Sequence, residues 1–365
     1  MLGFTANGSG NNVSVIDVAQ QRIIATLNTL DMATDVAISP DNQFLYVTTN
    51  GDGGSFLVVF EIKSFQLIAR VPVGSNPLKV IVSPDGRYIY VAASEEGIVT
   101  VVDAKNFSLI ATVTLGIYSR ASDISITPDS RFVYVIDVNN STVVVIETKR
   151  NTIIATINVN IQSIGITPFK FIVMKPDGQF VYVINTGELG VIGSISVIST
   201  KDHAIVSTIL VDISPYYIDI TPDGQTLYVS NVGAPGELRS VSVIDTKTEQ
   251  VIATVAAGPG FGEIPVELTV TPDGHYAYLA NITASTVFVI DTKTHAVIAS
   301  SGIPGLLSGG PVAFTPDSQY AYIIDISGSG SIIVIDVKTH AVIALIDLSI
   351  SGGFIGAGAI AFTSV

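Results

Sequence analysis

Residues 79–113 read KVIVSPDGRYIYVAASEEGIVTVVDAKNFSLIATV, and this stretch decides the fold. It holds four short runs rich in β-branched and aromatic residues, each bounded by Gly, Asn, Asp or Pro, which is the signature of strands. Between the first two runs, Ser83-Pro84-Asp85-Gly86 reads as a tight turn in which proline pre-sets φ. No helical period of apolar residues is sustained anywhere in it.

The same pattern extends in both directions. Pro-Asp recurs at Pro40, Pro84, Pro128, Pro176, Pro222, Pro272 and Pro316, at spacings of 44, 44, 48, 46, 50 and 44 residues. A period of this size means a solenoid or a propeller, and four short strands per period make one propeller blade. We name the strands A to D. The third-strand signature, as in Val241-Ser242-Val243-Ile244-Asp245, occurs eight times, but the Pro-Asp turn occurs seven times. The termini account for the difference: residues 4–7, 13–17 and 23–27 read as strands B, C and D, and residues 359–363 copy strand A. The prediction is an all-β, eight-bladed propeller with four antiparallel strands per blade, in one domain over residues 1–365. Blade 1 takes residues 1–27 and 359–365, and blades 2 to 8 take about 35–71, 78–113, 122–157, 171–209, 217–255, 266–300 and 311–346. Pairing the two chain ends removes a seam of unpaired strand edges.

Composition agrees. Of the 365 residues 48% are hydrophobic and only 13% charged, so the strands need cover on both faces. A net charge of −14 argues against nucleic acid and against an anionic membrane surface. Cysteine is absent, which removes disulfides, thiolate metal sites and cysteine nucleophiles. The start, MLGFTANGSG, has neither the basic nor the apolar region of a signal peptide, so a cytosolic or an already processed chain is expected. Residues 348–365 are uncharged, but four glycines and the repeat register argue against a membrane span.

Ser83-Pro84-Asp85-Gly86, Tyr90-Val91 and Val241-Ser242-Val243-Ile244-Asp245-Thr246 together resemble the YVTN family of β-propeller repeats, over the whole chain. The resemblance implies a prokaryotic, often exported or surface-associated protein, hence an extracellular or cell-surface location. Related propellers include lactonases, lyases and the heme d1 domains of nitrite reductases. A fold shared by so many activities does not choose among them.

In a blade the A–B and C–D turns lie at one end of the sheet and the D–A and B–C loops at the other. Length varies in the latter, for example over residues 158–170, 232–239 and 256–265, so the functional face is expected there. Nine of the seventeen basic residues fall in C–D hairpins. The loop face carries twelve acids against Lys79, Arg120, Lys170 and Arg239, which favours a cation or a basic partner. Tyr46, Tyr90, Tyr134, Tyr182, Tyr228, Tyr278 and Tyr322 hold one register position on strand B and read as core. Tyr118, Phe169, Phe171, Tyr216, Tyr217, Phe261 and Phe354 break register in or beside D–A loops, where they either stack on a ligand or plug the mouth of the channel. With Arg120, all of these except Phe171 are the candidate ligand-binding residues.

The position five residues before Pro-Asp holds Asp35, Lys79, Asp123, Phe171, Tyr217, Glu267 and Pro311, with Asp219 two residues further along its strand. Asp35, Asp123, Asp219 and Glu267 converging on an axis are candidate ligands for Ca²⁺ or another divalent cation, which takes many oxygen ligands. Asn or Asp recurs three residues after the strand-B aromatic, as in Asp137 and Asn185, and reads as turn capping. His203, His295 and His340 share one slot in the C–D hairpin and His275 lies in an A–B turn. No axial heme ligand or general base is therefore expected on the loop face. Serine triads, histidine zinc sites and nucleotide fingerprints have no members. The expectation is a monomeric, non-catalytic binding or surface-interaction propeller, with no assigned cofactor, that presents its loop face to a glycan, peptide or protein. The alternative is a metal-assisted lactonase or lyase working at the channel mouth through the four carboxylates.

Overall fold

A computed structural model describes residues 1–161, 171–186, 190–234, 238–259, 267–281, 286–302, 309–325, 330–348 and 359–364. The chain is an all-β, eight-bladed propeller of eight four-stranded antiparallel sheets. In the third blade the strands are Pro77–Val82, Tyr88–Ala93, Ile98–Asp103 and Leu109–Thr114, each paired with its neighbour in sequence. The first sheet is the exception that the repeat count predicts. Its strand A is Ile360–Phe362, which pairs with Leu2–Asn7 in the register Gly3↔Phe362, Phe4↔Ala361 and Thr5↔Ile360. Ala6 N–H donates to Ala359 O and Thr363 N–H to Leu2 O, each across 2.9 Å. The contacts divide the chain into two compact units, blades 1 to 4 and blades 5 to 8.

Local chemistry explains why each repeat turns where it does. The Pro-Asp turn is a three-part device. The Ser39 hydroxyl donates to Asp41 Oδ1 and accepts from Phe44 N–H, while Asp41 Oδ1 accepts from Gln43 N–H. Ser83, Thr127, Thr221, Thr271 and Thr315 donate to the Asp two residues on in the same way. Six of the seven turns carry this hydroxyl before proline, and Lys175 takes its place in the fifth blade. At the C–D hairpin the last residue of strand C is the cap: Asp103 Oδ1 accepts from Lys105 and Asn106 N–H.

The seven strand-B tyrosines are each at most 1% exposed, as their register predicts. They and the β-branched residues of strands B and C fill the spaces between sheets; in the first unit Phe4, Val15, Leu45, Val58 and Phe60 form one such cluster. From Ile110 onward strand D of the third blade alternates, with Ile110, Thr112 and Thr114 in water and Val113 buried, and Leu109 at its start is exposed as well. Among the described residues no helix is long and apolar enough to cross a membrane.

Candidate ligand pocket

Strand A is a sheet edge, so half of its backbone N–H groups face away from their own ladder and need a partner elsewhere. The inner carboxylates supply it. Asp35 Oδ2 accepts from Val80 N–H of the next blade at 2.9 Å, with Lys79 Nζ 3.5 Å away. In the second unit Asp219 Oδ2 accepts from Val270 N–H at 2.8 Å, and Glu267 Oε1 from Val312 N–H at 3.2 Å. Asp123 Oδ1 accepts from the adjacent Ile124 N–H. Burial pushes the Asp35 carboxyl above its ordinary range, and Lys79 offsets part of that. Among the described residues no three His, Cys, Asp or Glu side chains are grouped to hold a metal ion.

The out-of-register aromatics divide sharply. Phe171, Tyr216 and Tyr217 are buried, and burial pushes the Tyr216 hydroxyl up to about 12. Phe169, Phe261 and Phe354 lie outside the described residues. Tyr118 is 86% exposed, at a left-handed φ of 59°.

Tyr118 and Arg120 line a pocket of about 440 Å³ between the D–A and B–C loops of the third and fourth blades, together with Asn76, Ser94, Glu95, Ser119 and Asn139. Both walls are built from short loops. On one, Asn76 Nδ2 donates to Ser94 Oγ at 2.8 Å and Ser94 N–H to Asn76 O at 3.0 Å. On the other, the residues after strand B of the fourth blade grip the preceding loop. Asp137, 1% exposed, accepts Arg120 N–H on Oδ1 at 2.8 Å and Asn140 Nδ2 on Oδ2 at 2.8 Å. Asn140 Nδ2 also lies 3.0 Å from Ser119 Oγ and 3.3 Å from Ile117 O. Asn139 Nδ2 donates to Tyr118 O at 3.0 Å. The exposed ring is therefore carried on a braced backbone. Gly97, at φ +59°, lets the opposite loop pass: a Cβ there would run into the carbonyl and Cβ of Ser119.

Sequence reading singled out Tyr118 and Arg120 but not Asn76, Ser94, Ser119 or Asn139. The available signal was the pairing of Ser75-Asn76 with Asn139-Asn140 at the loop ends of consecutive repeats. The recurring Asn at the end of strand B bonds across its ladder to strand C. Asn185 Nδ2 donates to Ser194 and Ser196, and Asn231 Nδ2 to Ser240 and Ser242.

Two overlapping stretches, residues 3–158 and 111–304, match the Cytochrome D1 heme domain family. The chain belongs to that family. The match supports a β-propeller but not the YVTN family that the repeats resemble. Among solved structures the chain is similar to dihydro-heme d1 dehydrogenase NirN in complex with DHE, at TM-score 0.74 and 19% identity over 95% of this chain and 73% of that one. It is also similar to Kuenenia stuttgartiensis hydrazine synthase, at TM-score 0.64 and 19% identity over 87% of this chain and 96% of that one. A functionally unknown protein from Desulfotomaculum acetoxidans DSM 771 matches at TM-score 0.64 and 15% identity over 100% and 99%. These likenesses establish the fold. A curated relative, the uncharacterized protein YwhL of Bacillus subtilis (strain 168), is 34% identical over 64 residues, which is 18% of this chain and 13% of that protein.

The family name raises the question of a heme, and among the described residues neither a histidine nor a cysteine stands on the loop face to ligate one. A heme iron takes an axial ligand, most often His, Cys, Met or Tyr. Cysteine is absent, and all four histidines sit in turns at the end of their sheets opposite the D–A and B–C loops. Two of them are already engaged: Tyr228 Oη lies 3.1 Å from His295 Nδ1, and Tyr278 Oη 2.8 Å from His340 Nδ1.

Proposed function

We propose that this propeller is a non-catalytic binding module that takes a glycan, peptide or protein ligand on its D–A and B–C loop face, at the pocket between the third and fourth blades. One observation carries the reading: Tyr118 stands in water beside a polar pocket, on a backbone held by Asn139, Asn140 and Asp137. An exposed aromatic is costly to leave in water and easily lost to rotation; one fixed from behind is preorganised for contact. The inner carboxylates that the enzyme alternative needs each accept a backbone N–H group. The resemblance to exported propellers favours an extracellular or cell-surface setting.

The test is a chemical-shift map of the protein with cocktails of short saccharides and peptides. Shifts confined to residues 94–97, 117–120 and 139 are expected, and their loss in Tyr118→Ala. Shifts only elsewhere overturn the reading. Turnover of a lactone that depends on added Ca²⁺ moves it to the metal-assisted enzyme.

A further inference from the structure

We infer that the pocket between the third and fourth blades recognises a neutral pyranose unit of a saccharide. This rests on the binding-module reading and names its ligand. The lining has both acceptors and donors left to give. Asn76 and Asn139 have spent amide hydrogens on Ser94 and on the Tyr118 carbonyl, so their Oδ1 atoms remain as acceptors. Glu95 adds a carboxylate, and Arg120 a guanidinium. Among the described residues neither charge is in an ion pair. Acceptors and donors thus stand side by side in one pocket, with lining charges that cancel.

That combination suits a group whose every polar atom both donates and accepts, and a sugar hydroxyl is such a group. An anionic ligand would meet Glu95 and a net charge of −14. An extended peptide would satisfy its backbone best along a strand edge, whereas this pocket is walled by loops. The Tyr118 ring, 86% exposed, offers the apolar platform on which the C–H face of a pyranose rests. A pocket of about 440 Å³ has room for one such unit, with the rest of a chain lying outside.

Saturation-transfer NMR with three probes tests this: cellotetraose, tetragalacturonate and acetyl-tetraalanine-amide. Cellotetraose is expected to receive saturation on its ring C–H protons, Tyr118→Ala to weaken it at least tenfold, and Glu95→Gln and Arg120→Gln each severalfold. Tyr118 and Glu95 are exposed and Arg120 is half-buried, and an unchanged melting temperature confirms the fold of each variant. Tighter binding of tetragalacturonate or of the peptide, lost in Tyr118→Ala, overturns the neutral-sugar assignment and leaves the binding-module reading standing. Cellotetraose binding that survives Tyr118→Ala overturns both. Failure of all three probes overturns the sugar assignment, and the cocktail map then decides the broader reading alone.

Discussion

Asp35 of the second blade and Val80 of the third are joined directly: the Val80 N–H donates to Asp35 Oδ2 across 2.9 Å. The same relationship joins Asp219 to Val270 and Glu267 to Val312 in the second unit. Each carboxylate satisfies an edge amide that its own ladder leaves open. Propeller blades contact one another mainly through side chains, so a bond from side chain to backbone between inner strands fixes blade spacing as packing alone does not.

Removing the acceptor strands a buried donor, which costs about 1–3 kcal/mol. Asp35→Ala is therefore expected to lower the urea midpoint, and Asp35→Asn to lower it less, because the amide oxygen still accepts. Burial raises the Asp35 carboxyl. A raised folded value contributes stability that is fully present below the unfolded value of 3.8 and is lost as pH rises through the folded value. The deficit of Asp35→Asn against the parent should accordingly shrink as pH rises toward 7. Lys79→Met should behave oppositely, being most destabilised at neutral pH, where it leaves a buried charge alone. Unfolding series at pH 4.5 and pH 7 decide both.

Tyr278 and His340 form a second link between blades, at 2.8 Å, with their rings packed edge to face. Burial pushes the His340 imidazole below its usual value, with Asp336 pulling weakly the other way. The unfolded chain then binds the proton more readily. Stability from this group is complete above the unfolded value of 6.5 and falls as pH drops below it. His340→Gln should flatten the slope of melting temperature between pH 7 and pH 5. Tyr278→Phe should cost about 0.5–1.5 kcal/mol at pH 7.5. An unchanged slope in His340→Gln would place the acid sensitivity elsewhere.

Asp137 holds the pocket rim from beneath. Its carboxylate is 1% exposed and takes the Arg120 N–H and the Asn140 side chain together. Asp137→Ala should speed hydrogen exchange at the Arg120 amide more than at strand amides such as Val135, because the loop loosens before the sheet does. Affinity for any ligand on Tyr118 should fall with it. Equal acceleration throughout the fourth blade would mean a general loss of stability instead.

The architecture was legible because its determinants are local. Pro-Asp, the β-branched runs and the hairpin Asp act within a few residues of themselves, and seven copies in register leave few alternatives; strand A at 360–362 was readable as a copy of residues 312–315. The inner carboxylates were not. Asp35 reads as pointing to an axis, but where it turns depends on which neighbouring amide its own sheet leaves unpaired, and strand A is bulged there, between Ala33 and Asp35 and again between Pro77 and Lys79. The pocket was half legible. Tyr118 and Arg120 stood out by type, whereas Asn76, Ser94 and Asn139 matter only through which loop end they share.

Gly97 gives the sharpest test of that rim. It sits at φ +59°, a region that costs an L-residue about 1–2 kcal/mol, and its Leu115 partner binds its carbonyl at 2.9 Å, which keeps the loop from turning away. A Cβ would meet Ser119, the residue between Tyr118 and Arg120. Gly97→Ala should therefore push the Tyr118 loop outward, lowering the melting temperature by a few degrees and weakening ligand binding severalfold. Gly97→Asn separates the two causes. Asparagine tolerates this backbone region but carries the same Cβ, so it should recover part of the stability and none of the binding. Gly53→Ala, where a Cβ meets nothing within 4 Å, is the neutral control. If Gly97→Asn binds as tightly as the parent, the close approach of Gly97 to Ser119 does not govern the rim.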